Sequence, residues 1–494
     1  MNNGRFGMTF KTRNNNYYFF DSGTGKVVLC DYDEIELIDK ILSNKISVED
    51  ACLQNKDFQK FVEYENIFAF PDDIKFVLPT LDALKESIEG HCRQIILELT
   101  EKCNLRCGYC IYNENHPGFR NFGNRTMSFD VAKKTIDIVL KNFKDDKFYL
   151  TFYGGEPLLA FDLMKESIDY VRNNYPSIKL GISLTTNLTL LSDSMLEYFN
   201  SLSNDKINVN IMCSIDGDRD NHDRFRRYSN GERTHEVVVD NFKKLVLNFY
   251  EKNNSYKHLS INCVVSPPCD NEKIERIRSF FEEELRLHQN IKYDLGYVDP
   301  GDMVFDYSSN EKIKLYENLS GVNICDHVFE HVAYDDGDEI KKTDLNIILN
   351  DIMAISHRVK NNPNDITVRF LHGNCIPGRQ RMYVTVNGDF KVCERVGNSP
   401  SIGNYIDGLD YEKILNLYYK EYAATYENIC GSCWAQQMCN ICYAKNFKKE
   451  GIISDIESLC TDTRNEIKNK FINYYSLFES NKEMLENTVK EIVL

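Results

Sequence analysis

From Lys147 to Val298 the chain alternates two patterns of apolar and polar positions. The runs KFYLTFY, KLGISLTT, INVNIMCSI, LSINCVV and IKYDLGYV are short, rich in β-branched and aromatic residues, and bounded by turn residues, as strands are. Between them, FDLMKESIDYVRNN, SDSMLEYFNSL, HEVVVDNFKKLVLNFY and NEKIERIRSFFEEEL carry the apolar spacing of amphipathic helices. With RQIILELT and MSFDVAKKTIDIVLKNF in front, the pattern predicts about six βα units. Such alternation implies a parallel sheet with helices outside and ligands at the carboxyl ends of the strands. Periodicity alone leaves open whether the sheet closes into a barrel.

The flanking regions read differently. In residues 1–90, NYYFF and KVVLC flank DSGTGK as a hairpin would. DEIELIDKIL, SVEDACLQN and FQKFVEYEN then predict short helices, and IFAFPDDIKFV a return strand. The barrel-like region is expected over 91–330, a charged linker over 331–371, and a tail domain over 372–494. In the tail, YVTVNGDFKV predicts a hairpin turning at Asn387–Gly388, a strong short-range hairpin signal, and ending at Cys393.

Composition narrows the function. A net charge of −16 over 494 residues disfavours a nucleic-acid backbone as partner, since phosphate binding needs a basic surface. No apolar run is long enough to span a bilayer, and MNNGRFGMTF has no charged-then-apolar leader, so no membrane and a cytoplasmic location are expected. Seventeen cysteines in such a chain indicate metal or redox chemistry rather than a disulfide scaffold. They also cluster, three near residue 105 and seven between Cys375 and Cys460.

Cys103, Cys107 and Cys110 lie in LELTEKCNLRCGYCIY, directly after an apolar stretch. Three close thiolates suit three irons of a cubane cluster and leave the fourth iron open. A zinc knuckle is the alternative, although zinc sites need four ligands. The spacing, with Tyr109 before the last cysteine, resembles the signature of radical S-adenosylmethionine (SAM) enzymes. That resemblance implies a partial (β/α)6 barrel and SAM bound at the open iron, cleaved to a 5′-deoxyadenosyl radical. The run Gly154-Gly155-Glu156-Pro157 ends the second strand; glycines there admit close approach to a ligand, and the carboxylate can accept from an ammonium group. It resembles the family motif that holds the SAM amino group. Thr186 and Asn187 resemble the ribose-contacting pair, and Ser214 and Asp216 another SAM-side position. Arg226 resembles the arginine that pairs with the SAM carboxylate, a role open also to Arg224 or Arg227. Helix caps or surface charges are the plain alternative for each.

The tail cysteines Cys375, Cys393, Cys430, Cys433, Cys439, Cys442 and Cys460 resemble a SPASM domain with two auxiliary 4Fe–4S clusters, making three clusters in all. The family has three residues before the sixth cysteine, where this chain has Asn440 and Ile441 alone. The resemblance implies one closed site from Cys430, Cys433, Cys439 and Cys460, and a second from Cys375, Cys393 and Cys442 that is one ligand short. A zinc ribbon is the alternative. An open iron favours a substrate thiolate. The expected reaction is therefore thioether formation on a ribosomally made precursor peptide, as in sactipeptide and ranthipeptide maturases, with electrons from a flavodoxin or ferredoxin. The order of elements in residues 1–90 resembles a winged-helix element that captures a leader peptide as an added strand; a stabilising cap is the alternative. Rival functions are anaerobic sulfatase maturation, peptide epimerisation or carbon–carbon cross-linking, and a zinc-bound peptide scaffold.

Overall fold

The computed structural model describes residues 5–68, 75–113, 116, 120–202, 206–253, 258–266, 271–288, 290–297, 351–360, 368–369, 375–395, 397–448 and 451–493. The chain begins with an antiparallel sheet of β1 (Gly7–Lys11), β2 (Tyr17–Asp21) and β3 (Val27–Cys30), followed by α1 (Tyr32–Leu42), α2 (Val48–Gln54) and α3 (Lys56–Glu65). The predicted hairpin is β2–β3, and β1 is an additional strand on its far side.

Period-two alternation along β2 explains how this sheet is covered on both faces. Phe19 points to the helices, where it joins Val28, Ile35, Ile38 and Phe58. Tyr18 and Phe20 point the other way, with Met8 and Phe10, onto Ile467 and Phe471 of the long helix Glu457–Ser480. Phe20 and Phe471 have ring centroids 4.7 Å apart, and Trp434 meets Phe20 edge-on at 6.2 Å. This sheet is therefore seated on the cysteine-rich tail.

Two expectations change here. The return strand falls partly on 69–74, outside the described residues; its described end, β4 (Lys75–Phe76), pairs in parallel with β11 (Val368–Arg369) instead of with the hairpin. The linker lies mostly outside the described residues, yet at its described end Ile352 and Ile355 are fully buried in two different core clusters. That end is a packed segment, because its apolar positions found core.

Among the described residues the central sheet holds ten strands. Six run parallel in chain order: β5 (Gln94–Thr100), β6 (Lys147–Gly154), β7 (Lys179–Thr186), β8 (Ile207–Ser214), β9 (Leu259–Val265) and β10 (Lys292–Tyr297). Beyond β5 the sheet continues with β12 (Arg381–Val384), parallel to β5, then β13 (Asp389–Lys391), β14 (Gly403–Asn404) and β15 (Gly408–Leu409). The Asn387–Gly388 hairpin is thus β12–β13, with Gly388 at φ 86° as its turn requires. Barrel-like region and tail share one sheet and one core.

Helix α4 (Leu81–Ile88) precedes β5, and between the parallel strands run α5 (Phe129–Leu140), α6 (Phe161–Asn174), α7 (Asp193–Leu202), α8 (Arg219–Phe225), α9 (His235–Asn253) and α10 (Asn271–Ser279). In α5, Val131, Ala132, Thr135, Ile136, Val139 and Leu140 recur at helical spacing and are all buried. Residues of β6 to β9 alternate buried apolar side chains with half-buried polar ones such as Thr151, Ser183, Asn210 and Asn262. The apolar face meets the helices, and the polar face is left for chemistry at the carboxyl ends of the strands.

Candidate active site

The three N-terminal-half cysteines sit in the loop leaving β5. A register shift between Glu98 and Thr100 disturbs the β5–β6 ladder there, a device that re-aims a chain at a sheet edge. The segment after α8 runs antiparallel along the loop: Arg106 N–H donates to Arg227 O at 2.8 Å, and Gly108 N–H to Phe225 O at 3.0 Å. Burial pushes the Cys103 and Cys107 thiols up to about 12, and neighbouring thiols add to the rise. Cys110 is raised by the same cause. Arg226 opposes the shift at Cys107, donating to its sulfur at 3.8 Å. Three adjacent thiols that cannot ionise cheaply alone form a donor set that needs a cation to become thiolates.

Gly154 and Gly155 explain how the loop is held. Gly154 adopts φ 133°, and a Cβ on it would lie 2.3 Å from Thr100 O. A Cβ on Gly155 would lie 2.0 Å from Lys102 O, next to Cys103. The close approach these glycines permit is to the cysteine loop itself. Their neighbour Glu156 is fully buried, and burial raises its carboxyl. Its oxygens accept from the Thr186 hydroxyl at 2.8 Å, Leu158 N–H at 3.0 Å and Asn187 N–H at 2.8 Å. Glu156 thereby ties β6 to the end of β7, with three of a carboxylate's about four acceptor sites filled. The Asn187 amide reaches Asn104 Oδ1 at 3.0 Å, joining that strand end to the cysteine loop.

Asp216 and Arg226 form a buried pair at 3.1 Å. Asp216 Oδ2 also accepts from the Tyr109 hydroxyl, and Oδ1 from Val264 N–H at 3.0 Å. Arg226, expected to face a ligand carboxylate, contacts Asp216 and the Cys107 sulfur. The alternatives lie elsewhere: Arg224 covers the Phe225 ring at 5.1 Å, and Arg227 donates to Asp223 O at 2.7 Å. Ser214 is buried at the end of β8.

Sequence reasoning missed a second support, His222. Its Nδ1 accepts from Asp216 N–H at 3.2 Å, and its Nε2 meets Thr234 Oγ1 at 3.1 Å. The Thr234 hydroxyl donates to Arg226 O at 2.7 Å, so the ring must be the Nε2–H tautomer. Burial holds His222 well below its ordinary range, neutral as this network requires. Also missed was a charged cluster at the mouth of β5, where Arg120 pairs with Glu98 and Arg125 with Glu101. The side-chain pattern of LELTE hinted at two carboxylates, but not at their partners.

The tail thiols gather in two groups. Burial first, then Glu394, Cys442 and Cys375, push Cys393 up to about 11. Burial, then Cys439, Cys433 and Cys460, push Cys430 up to about 12. Cys375, Cys393 and Cys442 are thus near one another, as are Cys430, Cys433, Cys439 and Cys460. Among the described residues no three His, Cys, Asp or Glu donors close around a single ion. Of the scattered cysteines, Cys30, Cys92, Cys213 and Cys263 are buried and Cys52 partly so; Cys269 and Cys325 lie outside the described residues.

With three thiols at the end of β5 in a parallel α/β sheet, the family comparison is decisive: residues 97–280 match the Radical SAM superfamily. Residues 97–280 carry a radical SAM domain. The chain is 35% identical to an uncharacterised protein of Methanocaldococcus jannaschii over 140 residues, 28% of this chain and 44% of that one. It is 27% identical to the cysteine-type anaerobic sulfatase-maturating enzyme of Clostridium perfringens over 233 residues, 46% of this chain and 58% of that one. The chain spans between 34% and 58% of the length of the curated relatives it matches. Native anSMEcpe with bound AdoMet and Kp18Cys peptide shares the fold at TM-score 0.51 and 18% identity, covering 81% of this chain and 99% of that one. No helix among the described residues is long and apolar enough to cross a membrane.

Proposed function

We propose that this radical SAM enzyme matures a ribosomally made precursor peptide, joining a peptide cysteine sulfur to a carbon of another residue as a thioether. The observation that carries this reading is the grouping of the tail thiols into a set of four and a set of three. A 4Fe–4S cluster takes four thiolates, so the set of three leaves one position for a substrate thiol. The donor chemistry fits: all three groups are sets of soft sulfur donors, and in each of them burial raises a thiol, Cys103, Cys393 and Cys430, whose ionisation a bound cation would favour.

Cys103, Cys107 and Cys110 would hold the cluster that binds SAM; Cys430, Cys433, Cys439 and Cys460 a closed auxiliary cluster; and Cys375, Cys393 and Cys442 an open one. When bound, these groups supply a 5′-deoxyadenosyl radical, a place for a substrate sulfur and a sink for one electron. The chain's own residues hold and shield the site. Arg226 places a positive charge beside the Cys107 sulfur, and Asp216 and Tyr109 fix that guanidinium. Glu156 locks the ends of β6 and β7 against the cysteine loop. Glu156 is buried and Cys107 and Tyr109 are half-buried, which would limit the access of water to this end of the site. The N-terminal sheet would take the leader peptide at an edge strand, and a flavodoxin or ferredoxin in the cytoplasm would supply electrons.

A second reading is favoured by one observation, the fold shared over 99% of anSMEcpe: oxidation of a cysteine or serine to formylglycine. Coexpression with a short cysteine-rich peptide encoded nearby, followed by mass spectrometry, separates the two. A thioether removes two hydrogens, retains sulfur and blocks thiol alkylation. A formylglycine reacts with hydrazides, and one made from cysteine also loses its sulfur; a hydrazide-reactive product would overturn the thioether reading. About 12 Fe per chain is expected for three clusters, whereas zinc without SAM cleavage would reduce the protein to a binding scaffold.

A further inference from the structure

Just beyond the carboxyl end of β7 the chain turns through a residue that resists the turn. Leu188 adopts φ 62°, a left-handed conformation costly for a residue with a Cβ, and its side chain is fully buried. Its backbone is held on both sides. Leu188 N–H donates to Thr186 Oγ1 at 3.0 Å, and Leu188 O accepts from the side chain of Asn241, a buried residue of α9, at 2.8 Å. Backbone strain persists only where the surroundings over-determine it, and it gathers at functional sites.

The strained turn sets the placement of its two neighbours. Asn187 and Thr189 meet Asn104, the residue after Cys103, in a closed ring of three side chains. The Asn104 amide donates to Thr189 Oγ1 at 2.7 Å, the Thr189 hydroxyl to Asn187 Oδ1 at 2.7 Å, and the Asn187 amide to Asn104 Oδ1 at 3.0 Å. Donor and acceptor roles around the ring have one consistent assignment. Thr189 N–H donates to Asn187 Oδ1 at 3.0 Å, which makes that atom the oxygen. The other end of the Asn187 amide must then donate, so Asn104 meets it with its oxygen and turns its own N–H toward Thr189. The one hydroxyl proton of Thr189 is left to run to Asn187. Removing any member therefore breaks a contact of each of the other two.

The ring spans the two parts that build this end of the site. On one side is the Cys103 loop; on the other is Asn187, whose backbone N–H donates to Glu156 Oε2 at 2.8 Å. We propose that Thr189 and Asn104 are positioning residues of the radical SAM domain, locking the first cysteine of the triad and the Asn187 side chain into one rigid unit before SAM binds. Preorganisation of this kind lowers the ordering cost of binding, so loss of the ring weakens SAM binding without abolishing it. The proposal rests on SAM binding at this end of the sheet and is independent of the maturase reading.

The test is anaerobic equilibrium dialysis of radiolabelled SAM against the reconstituted full-length enzyme, with iron analysis and hydrogen exchange of the Cys103–Cys110 loop measured alongside. Thr189→Val keeps the side-chain shape but removes the hydroxyl. It should weaken SAM binding about tenfold, the change expected for about one net hydrogen bond, and should speed exchange in the loop. Thr189→Ser keeps the hydroxyl and should restore both. Asn104→Ala opens the ring from the other side. Because the ring acts as a unit, Asn104→Ala with Thr189→Val should bind SAM no more weakly than the weaker single variant. Should Thr189→Val fail to fold, Asn104→Ala alone makes the same prediction. Triad iron lost from Thr189→Val but kept in Thr189→Ser upholds the proposal, since the same ring holds the Cys103 loop. Unchanged affinity in Thr189→Val, equal weakening in Thr189→Val and Thr189→Ser, or additive losses in the double variant overturns it. Thioether formation is scored separately, so a hydroxyl-dependent SAM affinity in an enzyme that forms no cross-link rejects the maturase reading and spares the ring.

Discussion

Arg226 and Asp216 offer the sharpest test of how the site is held. Their side chains are 9% and 1% exposed, and the 3.1 Å contact between them is the only formal ion pair described for either. Replacing one partner leaves the other charge buried and uncompensated, which costs about 3–5 kcal/mol. Arg226→Gln and Asp216→Asn should each lower the melting temperature by roughly 6–20 °C, at the sensitivity of a domain of about 200 residues. The double variant buries no net charge and should recover part of the loss, with a coupling of about 2 kcal/mol. Anaerobic calorimetry of all four proteins measures this, and iron content reports whether the Cys107 loop still assembles its site. Single effects below about 1 kcal/mol, or strict additivity in the double variant, would refute the claim that this pair anchors the site.

Four further outcomes are expected. Replacing Cys103, Cys107 and Cys110 with alanine should abolish 5′-deoxyadenosine formation while leaving tail-bound iron, measured by chromatography and iron analysis; retained SAM cleavage would sink the assignment of the triad. Gly155→Ala must displace the Lys102 carbonyl, 2.0 Å from the new Cβ, and should cut iron loading at the triad with the tail iron unchanged. Phe471→Ala removes a fully buried ring touching Phe10 and Phe20, should cost about 3–5 kcal/mol, and should expose residues 1–68 to limited proteolysis. For Glu101, burial raises the carboxyl but Arg125's hydrogen bonds and charge outweigh it, so its folded value lies below the ordinary one. Its contribution is therefore present above the unfolded value, near pH 4.3, and is lost as pH falls through the folded value. Glu101→Gln should flatten that acid limb in denaturation profiles, and an unchanged slope would contradict it.

Much of the architecture was legible along the chain. The alternation of KFYLTFY, KLGISLTT and their successors with amphipathic helices specified the parallel sheet, because period and length distinguish a buried strand from a helix. Asn387–Gly388 announced its hairpin through the positive φ that the turn demands. The triad was legible as chemistry because three thiols within eight residues have few other uses. Less was legible about what each polar residue touches. Glu156, set beside two glycines, reads as a ligand for an ammonium group; that Thr186, Leu158 and Asn187 also donate to its oxygens is visible only in the fold. Glu98 and Arg120 carry no motif, and their pairing across the β5 exit depends on a loop path that no local pattern encodes.

The sequence by itself determined which residue types and periods the chain offers: six parallel βα units, a three-thiol loop at the first strand's end, and seven further thiols in the tail. Only the tertiary structure decided how these meet. It extends the parallel sheet through β12 on β5, so that Cys393 of the tail borders the same cavity as Glu98 of β5 and Tyr112 of the cysteine loop. It also presses the Tyr18–Phe20 face of the first sheet onto Phe471 and Trp434. The physical reason is that alternation records which side of a strand must be buried, while the identity of what buries it is set by contacts hundreds of residues apart.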